Sequence, residues 1–355
     1  MKKTISILAL ALLVSGSAFG QALNKQEAKA LQTFLSENAA KGGDNAEALM
    51  LKGNNVALTP GVKVENGHVV EINWDKKELS GTLNLSNFTK LTKVSVNDNK
   101  LTELIINNAP SLIEVNASRN DLTSVSLSGT PQLQILRLNR NRLMGIDLSG
   151  TPLLSKLNVA SNYIGALDIS NAANLVSLNC TSNRITDLNL SGCTNLKNVY
   201  AGYNEISAIE FAGLGNLENL NLMSNRIQKF YVQGLPVLQT IFVSDNHMTQ
   251  FAVNDCPQLV DIYAPYNDLT SFVVENCTNL SDVNVAWNDL SFLNLSGQNF
   301  LQRVNVSNNQ LVTLDVSFCP MLTTVNIAGN SLLTDLRTEG DTMLHQVVGP
   351  WDSME

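Results

Sequence analysis

Apolar residues recur along most of the chain at alternate positions in short bursts, and each burst closes on an asparagine. The frame reads Leu91, Val94, Val96, Asn99, Leu101, and again Leu154, Leu157, Val159, Asn162, Ile164. Alternation of this kind predicts a short strand with one face buried. The asparagine stands at Asn99, Asn120, Asn141, Asn162, Asn183, Asn204, Asn225, Asn246, Asn267, Asn288, Asn309 and Asn330, twelve positions spaced 21 residues apart every time. A constant period of that length predicts a solenoid, in which each turn packs only on its neighbours. A second alternating pair follows in each unit: Leu104 and Ile106, Val125 and Leu127, Ile146 and Leu148, Leu188 and Leu190, Leu314 and Val316. Each turn is therefore expected to carry two half-buried strand-like segments on opposite sides of a flat coil.

In this pattern the asparagine points inward, where its amide can satisfy backbone groups that a strand ladder leaves unpaired at a bend. The column is a structural ladder. After the second apolar pair come a serine column (Ser128, Ser149, Ser170, Ser191, Ser296, Ser317) and a Gly/Asn column (Gly129, Gly150, Asn171, Gly192, Gly213, Gly234, Asn276, Gly297). These residue types tolerate positive φ at a tight corner. Proline recurs beyond them at 110, 131, 152, 236, 257 and 320, where no ladder bond is required of it.

The pattern resembles the leucine-rich repeat family, specifically the short bacterial class with 21-residue nested units and more distantly the internalins, from about residue 68 onward. The resemblance implies a solenoid of parallel stacked β-strands with little helix, whose strand face binds other molecules, most often proteins. Internalin-type units are usually one residue longer, and neither a wall anchor nor a separate effector domain follows, so a role in host invasion is not implied.

A solenoid needs closed ends. Asn24 with Glu27, and Asp44 with Glu47, read as capping boxes opening two short helices, with Gly42 and Gly53 placed to end them. Ala28, Leu31, Phe34 and Leu35 form the apolar stripe of the first helix. Asn66-Gly67 between two alternating runs reads as a hairpin turn. At the far end Leu344 and Val347 follow Leu322 and Val325 by 22 residues, a half-unit with one insertion in which Asp352 takes the asparagine's place. The expected division is a signal peptide over 1–20, a small helical cap over 21–67, the repeat solenoid over 68–342 and a closing half-unit over 343–355.

Lys2-Lys3, an apolar run from Ile5 to Val14 and small residues before Gln21 together read as a secretory leader. The product is expected to be exported: secreted, periplasmic or held at the bacterial surface. No stretch approaches the roughly 20 apolar residues of a membrane-spanning helix. Without the leader, 21 basic residues face 31 acidic ones, a net charge of -10, which disfavours nucleic acid as a partner.

Catalytic chemistry has little to stand on. His68, His247 and His345 are remote from one another in register, and the sequence holds no metalloprotease, redox or phosphate-loop motif in the required context. Neither cofactor nor metal is expected. Cys193, Cys256, Cys277 and Cys319 share one column with Thr130, Ala172 and Leu235, and Cys180 stands in the column of Val96. Both columns read as core. Cys256 and Cys277 fall on adjacent turns, within disulfide range but with parallel side chains that suit a bridge poorly.

The outward columns carry more information. The position after the buried strand residue takes Arg137, Tyr200, Phe242 and Tyr263 among many asparagines, and the position before the Asn adds Arg140, Tyr203, Tyr266 and Trp287. Rings on a solvated face suit an interface, whose core is rich in Tyr, Trp and Phe, although they also suit simple stacking between strands. Arg119, Arg137, Arg140 and Arg142 crowd the early turns, and Asp245, Asp261, Asp268, Asp282 and Asp289 the later ones. Asp261 over Asp282 and Asp268 over Asp289 are like charges one strand apart, an arrangement that costs stability. The face from Tyr200 to Trp287 is thus read as the docking surface of a non-catalytic protein-interaction scaffold; a glycan-binding surface and a structural spacer are the competing readings.

Overall fold

The computed structural model describes residues 22–349 apart from 54 and 171. The chain winds into a parallel-strand solenoid of about 13 turns, and one sheet of 15 strands runs along its front. The sheet opens with an antiparallel hairpin, Val62–Glu65 against His68–Asn73. Asn66 and Gly67 turn it with φ of 50° and 74°, the two positive values that a tight hairpin turn requires. Every later pairing in the sheet is parallel. From Lys93–Ser95 onward each strand has three residues and meets its neighbour 21 residues away, so Val94, Val115, Leu136 and Leu157 lie in one file. In every one of these strands but the last the middle residue is buried and its neighbours stand on the other face, as the alternation requires. Thr324–Asn326 meets Gln346–Val348 at a spacing of 22, with Val325 opposite Val347.

The back departs from expectation. Strands form there in three separate groups of three: Ser80–Asn84, Lys100–Ile105 and Ser124–Ser126; Lys229–Gln233, Gln250–Asn254 and Ser271–Glu275; Phe292–Asn294, Thr313–Asp315 and Asp335–Arg337. Between 127 and 228 the described residues form no back strand, although Leu148, Leu188 and Leu190 are buried as foreseen. The turns that lack strands carry Gly145 and Gly165, whereas Lys229–Gln233 and Ser271–Glu275 carry the aromatic and β-branched residues that favour extended backbone. In the same interval Asp147, Asp168 and Asn189 accept the N–H groups of Ser149, Ser170 and Ser191 at 2.9, 2.9 and 3.0 Å. The same bond accompanies back strands at Ser86, Ser296 and Ser317, so it does not decide where a ladder forms. The corner glycines also divide: Gly129, Gly213, Gly234 and Gly297 have positive φ, but at Gly192 close approach is the constraint, since a methyl group there would lie 2.8 Å from the Ser170 carbonyl oxygen.

Aromatic rings fill the core behind the middle turns. Phe230, Phe251 and Phe272 stack in register with centroids 5.2 and 4.7 Å apart, and Phe211 meets Phe230 edge-on at 5.5 Å.

The N-terminal end is closed by a helix over Lys25–Leu35, followed by a single helical turn over Asn45–Ala48. Asn24 caps the first helix by accepting from the N–H groups of Gln26 and Glu27, yet Glu27 does not complete the reciprocal box. Its carboxylate is buried, accepts the Val69 N–H at 2.8 Å and meets His68 Nδ1 at 2.9 Å, so it ties the helix to the hairpin. The helix stops at Ser36, well before Gly42. Leu31 and Phe34 cover the first turn, with Phe34 stacked on Trp74 at 5.6 Å. Residues 1–20, read as a leader, and Asp352 lie outside the described residues.

Candidate interaction surface

The asparagine column fixes the corner that leads away from the front strand. Asn225 accepts the Ile206 N–H at 3.0 Å and donates to the carbonyls of Ala201 and Leu222 at 3.1 and 2.9 Å. The same set recurs from Asn120 through Asn330. Asn99 serves the irregular first turn, taking the N–H groups of Lys77 and Leu79 and donating to Trp74. Each amide therefore joins its own turn to the one before it.

The residue ahead of each asparagine has a property that its side chains do not advertise. Asp98, Arg119, Arg140, Ser161, Ser182, Tyr203, Ser224, Asp245, Tyr266, Trp287 and Asn308 all have φ between 53° and 59°, and Gly329 has 73°. The inter-turn ladder continues through this bend: Tyr203 donates its N–H to Met223 at 2.8 Å and Trp287 to Ser307 at 2.8 Å. Left-handed backbone suits Gly and Asn and is costly for a bulky residue. Tyr203, Tyr266 and Trp287 nevertheless hold rings there, 55%, 56% and 52% exposed. Tyr266 and Trp287 stack at 5.8 Å with planes 15° apart.

The front strands carry the other ring column. Tyr200 pairs in register with Asn221, Asn221 with Phe242 and Phe242 with Tyr263. Phe242 and Tyr263 have centroids 6.0 Å apart and planes tilted by 44°. They line one end of a groove of about 460 Å³ that continues across Asp261, Asp282 and Arg303 to Asn326. The groove thus gathers Phe242, Tyr263, Asp261 and Asp282 from the expected set. Tyr266, Trp287, Asp268 and Asp289 do not line it, and Tyr200, Tyr203, Arg137 and Arg140 belong to earlier turns.

Charge is more locally balanced than its grading along the sequence implies. Arg137 reaches Glu114 at 2.5 Å and Arg142 reaches Asp121 at 2.7 Å. Among the later acids, Asp289 accepts from Gln310 at 2.8 Å and Asp268 lies 3.8 Å from His247 Nδ1. Asp261 does stand directly beside Asp282, as the register requires, but Asp282 is ion-paired with Arg303. That arginine is a groove residue that attention to aspartates alone overlooks; its place one strand beyond Asp282 is the signal that finds it. Desolvation, with the Asp282 charge added, holds the Asp261 carboxyl above the usual carboxylate range.

All five cysteines are buried free thiols. Burial pushes Cys180 up to about 12 and Cys193 and Cys319 up to about 11. Cys256 and Cys277 stand on adjacent turns with their thiols directed to main-chain carbonyls, Cys256 to Asn254 and Cys277 to Val253 and Glu275, and the neighbouring Cys256 thiol together with burial pushes Cys277 up. The bridge that their spacing allows is not formed. Among the described residues no group of His, Cys, Asp and Glu is arranged to hold a metal ion, and no helix is long and apolar enough to cross a membrane.

No protein-family model matches the sequence, and a search of curated proteins finds no match either. Among solved structures the chain is similar to YopM, a leucine-rich effector protein from Yersinia pestis. The two are 22% identical over 92% of this chain and 88% of that one, with a TM-score of 0.68. It is also similar to the leucine-rich repeat domain of APL1B, at 21% identity over 69% of this chain and 72% of that one, with a TM-score of 0.50. The functional domain of InlJ from Listeria monocytogenes is 18% identical over 87% of this chain and 76% of that one, with a TM-score of 0.49. Such likeness concerns architecture, and in architecture the chain is a leucine-rich repeat solenoid of 21-residue units.

Proposed function

We propose that the protein is an exported, non-catalytic interaction scaffold that docks a protein partner on its front face, centred on the groove beside Phe242 and Tyr263. The observation that carries this reading is the cost of the ring positions: Tyr266 and Trp287, like Tyr203, hold rings on left-handed backbone where the remaining turns place Ser, Asp, Asn, Arg or Gly. Stability alone would not select large rings there. Rings, an adjoining groove and acidic residues at its edge form an apolar centre with a polar rim, the anatomy of a protein interface. Acidic residues in and beside the groove favour a partner with a basic surface. Export is supported by the N-terminal leader pattern.

Cross-linking capture from the producing cell surface tests the reading. Tyr263→Ala or Trp287→Ala should each weaken capture by about 2 kcal/mol or more without changing the fold, whereas Asp147→Ala and Asp168→Ala on the other side of the coil should leave it intact. Equal losses from both pairs would move the docking surface elsewhere. Glycan-array binding abolished by Tyr263→Ala, with no protein captured, would replace the protein partner with a sugar.

A further inference from the structure

One carboxylate in the front groove is left unserved among the described residues. The parallel register sets Asp261, Asp282 and Arg303 in a row across three strands. Asp282 is satisfied twice: Arg303 Nε donates to Oδ1, and Ser281 Oγ donates to Oδ2 at 2.9 Å. Asp261, one strand before it, is partly buried, and its carboxylate accepts no hydrogen bond. Arg303 is two strands away and already engaged. Two residues along the same strand, and therefore on the same face, is Tyr263, with the tilted ring of Phe242 beside it at 6.0 Å. A lone carboxylate next to two aromatic rings is matched chemically by a planar cation, which can pair with the one and pack on the others.

We propose that this groove binds an arginine side chain of the protein partner, with Asp261 accepting the guanidinium and the Phe242 and Tyr263 rings packing against its plane. Guanidinium fits better than ammonium because it is flat, weakly hydrated and able to donate two parallel hydrogen bonds. The chain makes one half of this contact elsewhere, where the Arg184 guanidinium lies 5.0 Å from the ring centroid of Tyr163. Ca²⁺ is a poorer match: it seeks six or more oxygens, and here one free carboxylate adjoins a row whose other end is the cationic Arg303. The inference rests on the reading of this face as a protein-docking surface and names the side chain at its centre.

The test is a titration of the full chain with N-acetyl-arginine methylamide and, in parallel, its uncharged isostere N-acetyl-citrulline methylamide, following the backbone amide resonances of Ile262 and Val283. The arginine probe should give saturable shifts at about millimolar concentrations, with binding at least about tenfold weaker for citrulline and for Asp261→Asn. Asp168→Asn, on the other side of the coil, should bind as wild type does. Equal responses to both probes, no saturable shift with either, or a response that Asp261→Asn leaves unchanged would overturn the arginine site. Shifts produced by CaCl2 alone and lost in Asp261→Asn would overturn it in favour of a metal site. The two readings also fail separately. If the probe does not bind while Tyr263→Ala still abolishes capture, only the arginine site falls; if the probe binds while capture survives Tyr263→Ala, only the docking reading falls.

Discussion

Tyr266 and Trp287 stand at the same place in consecutive turns, rings stacked at 5.8 Å, each on backbone with φ near +57°. The stack returns part of what the backbone costs, because an offset aromatic pair is worth about 0.5–1.5 kcal/mol when well packed. Tyr203 sits in the same column at φ 57° with no ring partner, so there the cost stands alone. Tyr203→Asn is therefore expected to raise stability by about 0.5–1 kcal/mol, since asparagine tolerates the left-handed region that tyrosine does not. Urea denaturation would check it, and a loss of stability would mean that the exposed ring packs more profitably than its surroundings imply.

The asparagine ladder makes the opposite prediction. Asn225→Ala removes one acceptor and several donor contacts at a buried corner; it strands the Ile206 N–H and leaves the Ala201 and Leu222 carbonyls with only the amides of Asn204 and Asn246. The cost should be on the order of 1–3 kcal/mol, measured as a shift in the unfolding midpoint. An unchanged midpoint would deny the column its structural role.

In the core, Phe251 lies between Phe230 and Phe272 and touches a ring on either side. Phe251→Ala should cost about 3–5 kcal/mol, well above the effect of removing an exposed ring such as Tyr231. Comparable effects at the two positions would show that the stack adds little.

Asp261 has a pH signature opposite in sign to that of a salt-bridged acid. Desolvation and the neighbouring Asp282 hold its folded pKa above the usual value of 3.8, so folding favours its protonated form. Its ionisation takes stability away as pH rises through the unfolded and then the folded pKa. Asp261→Asn should accordingly stabilise the protein at neutral pH by a few tenths of a kcal/mol, with the gain vanishing below the normal carboxylate range. Thermal melts at the two pH values would show it. A variant less stable at neutral pH would mean that Asp261 has a cationic partner within the chain.

What could be read from the sequence follows from what a repeat writes into it. The buried files of Val94, Val115 and Leu136, and the asparagines that close them, are legible because every turn needs the same atoms there. The left-handed bend is equally regular in space but accepts Asp, Arg, Ser, Tyr, Trp, Asn and Gly, so composition gives no sign of it. Back strands depend on side chains that face outward, such as Tyr231 and Val273, and the buried alternation of Ile146 and Leu148 is the same whether or not a ladder forms. Recognition groups such as Arg303 belong to single turns, and only register ties them to their neighbours.

The antiparallel strand Val62–Glu65 has a consequence for how such a molecule can change in length. It occupies the first edge of an otherwise parallel sheet, so a further 21-residue unit placed ahead of it would find no parallel edge to continue. Growth at that end is thereby blocked, whereas within the array a whole unit can be gained or lost without moving any neighbour out of step. Duplication of the single unit between Asn141 and Asn162 would lengthen the distance from cap to groove by a strand spacing while leaving Asp261, Tyr263 and Arg303 in register. The reach of the protein and the chemistry of its groove can therefore evolve as independent variables.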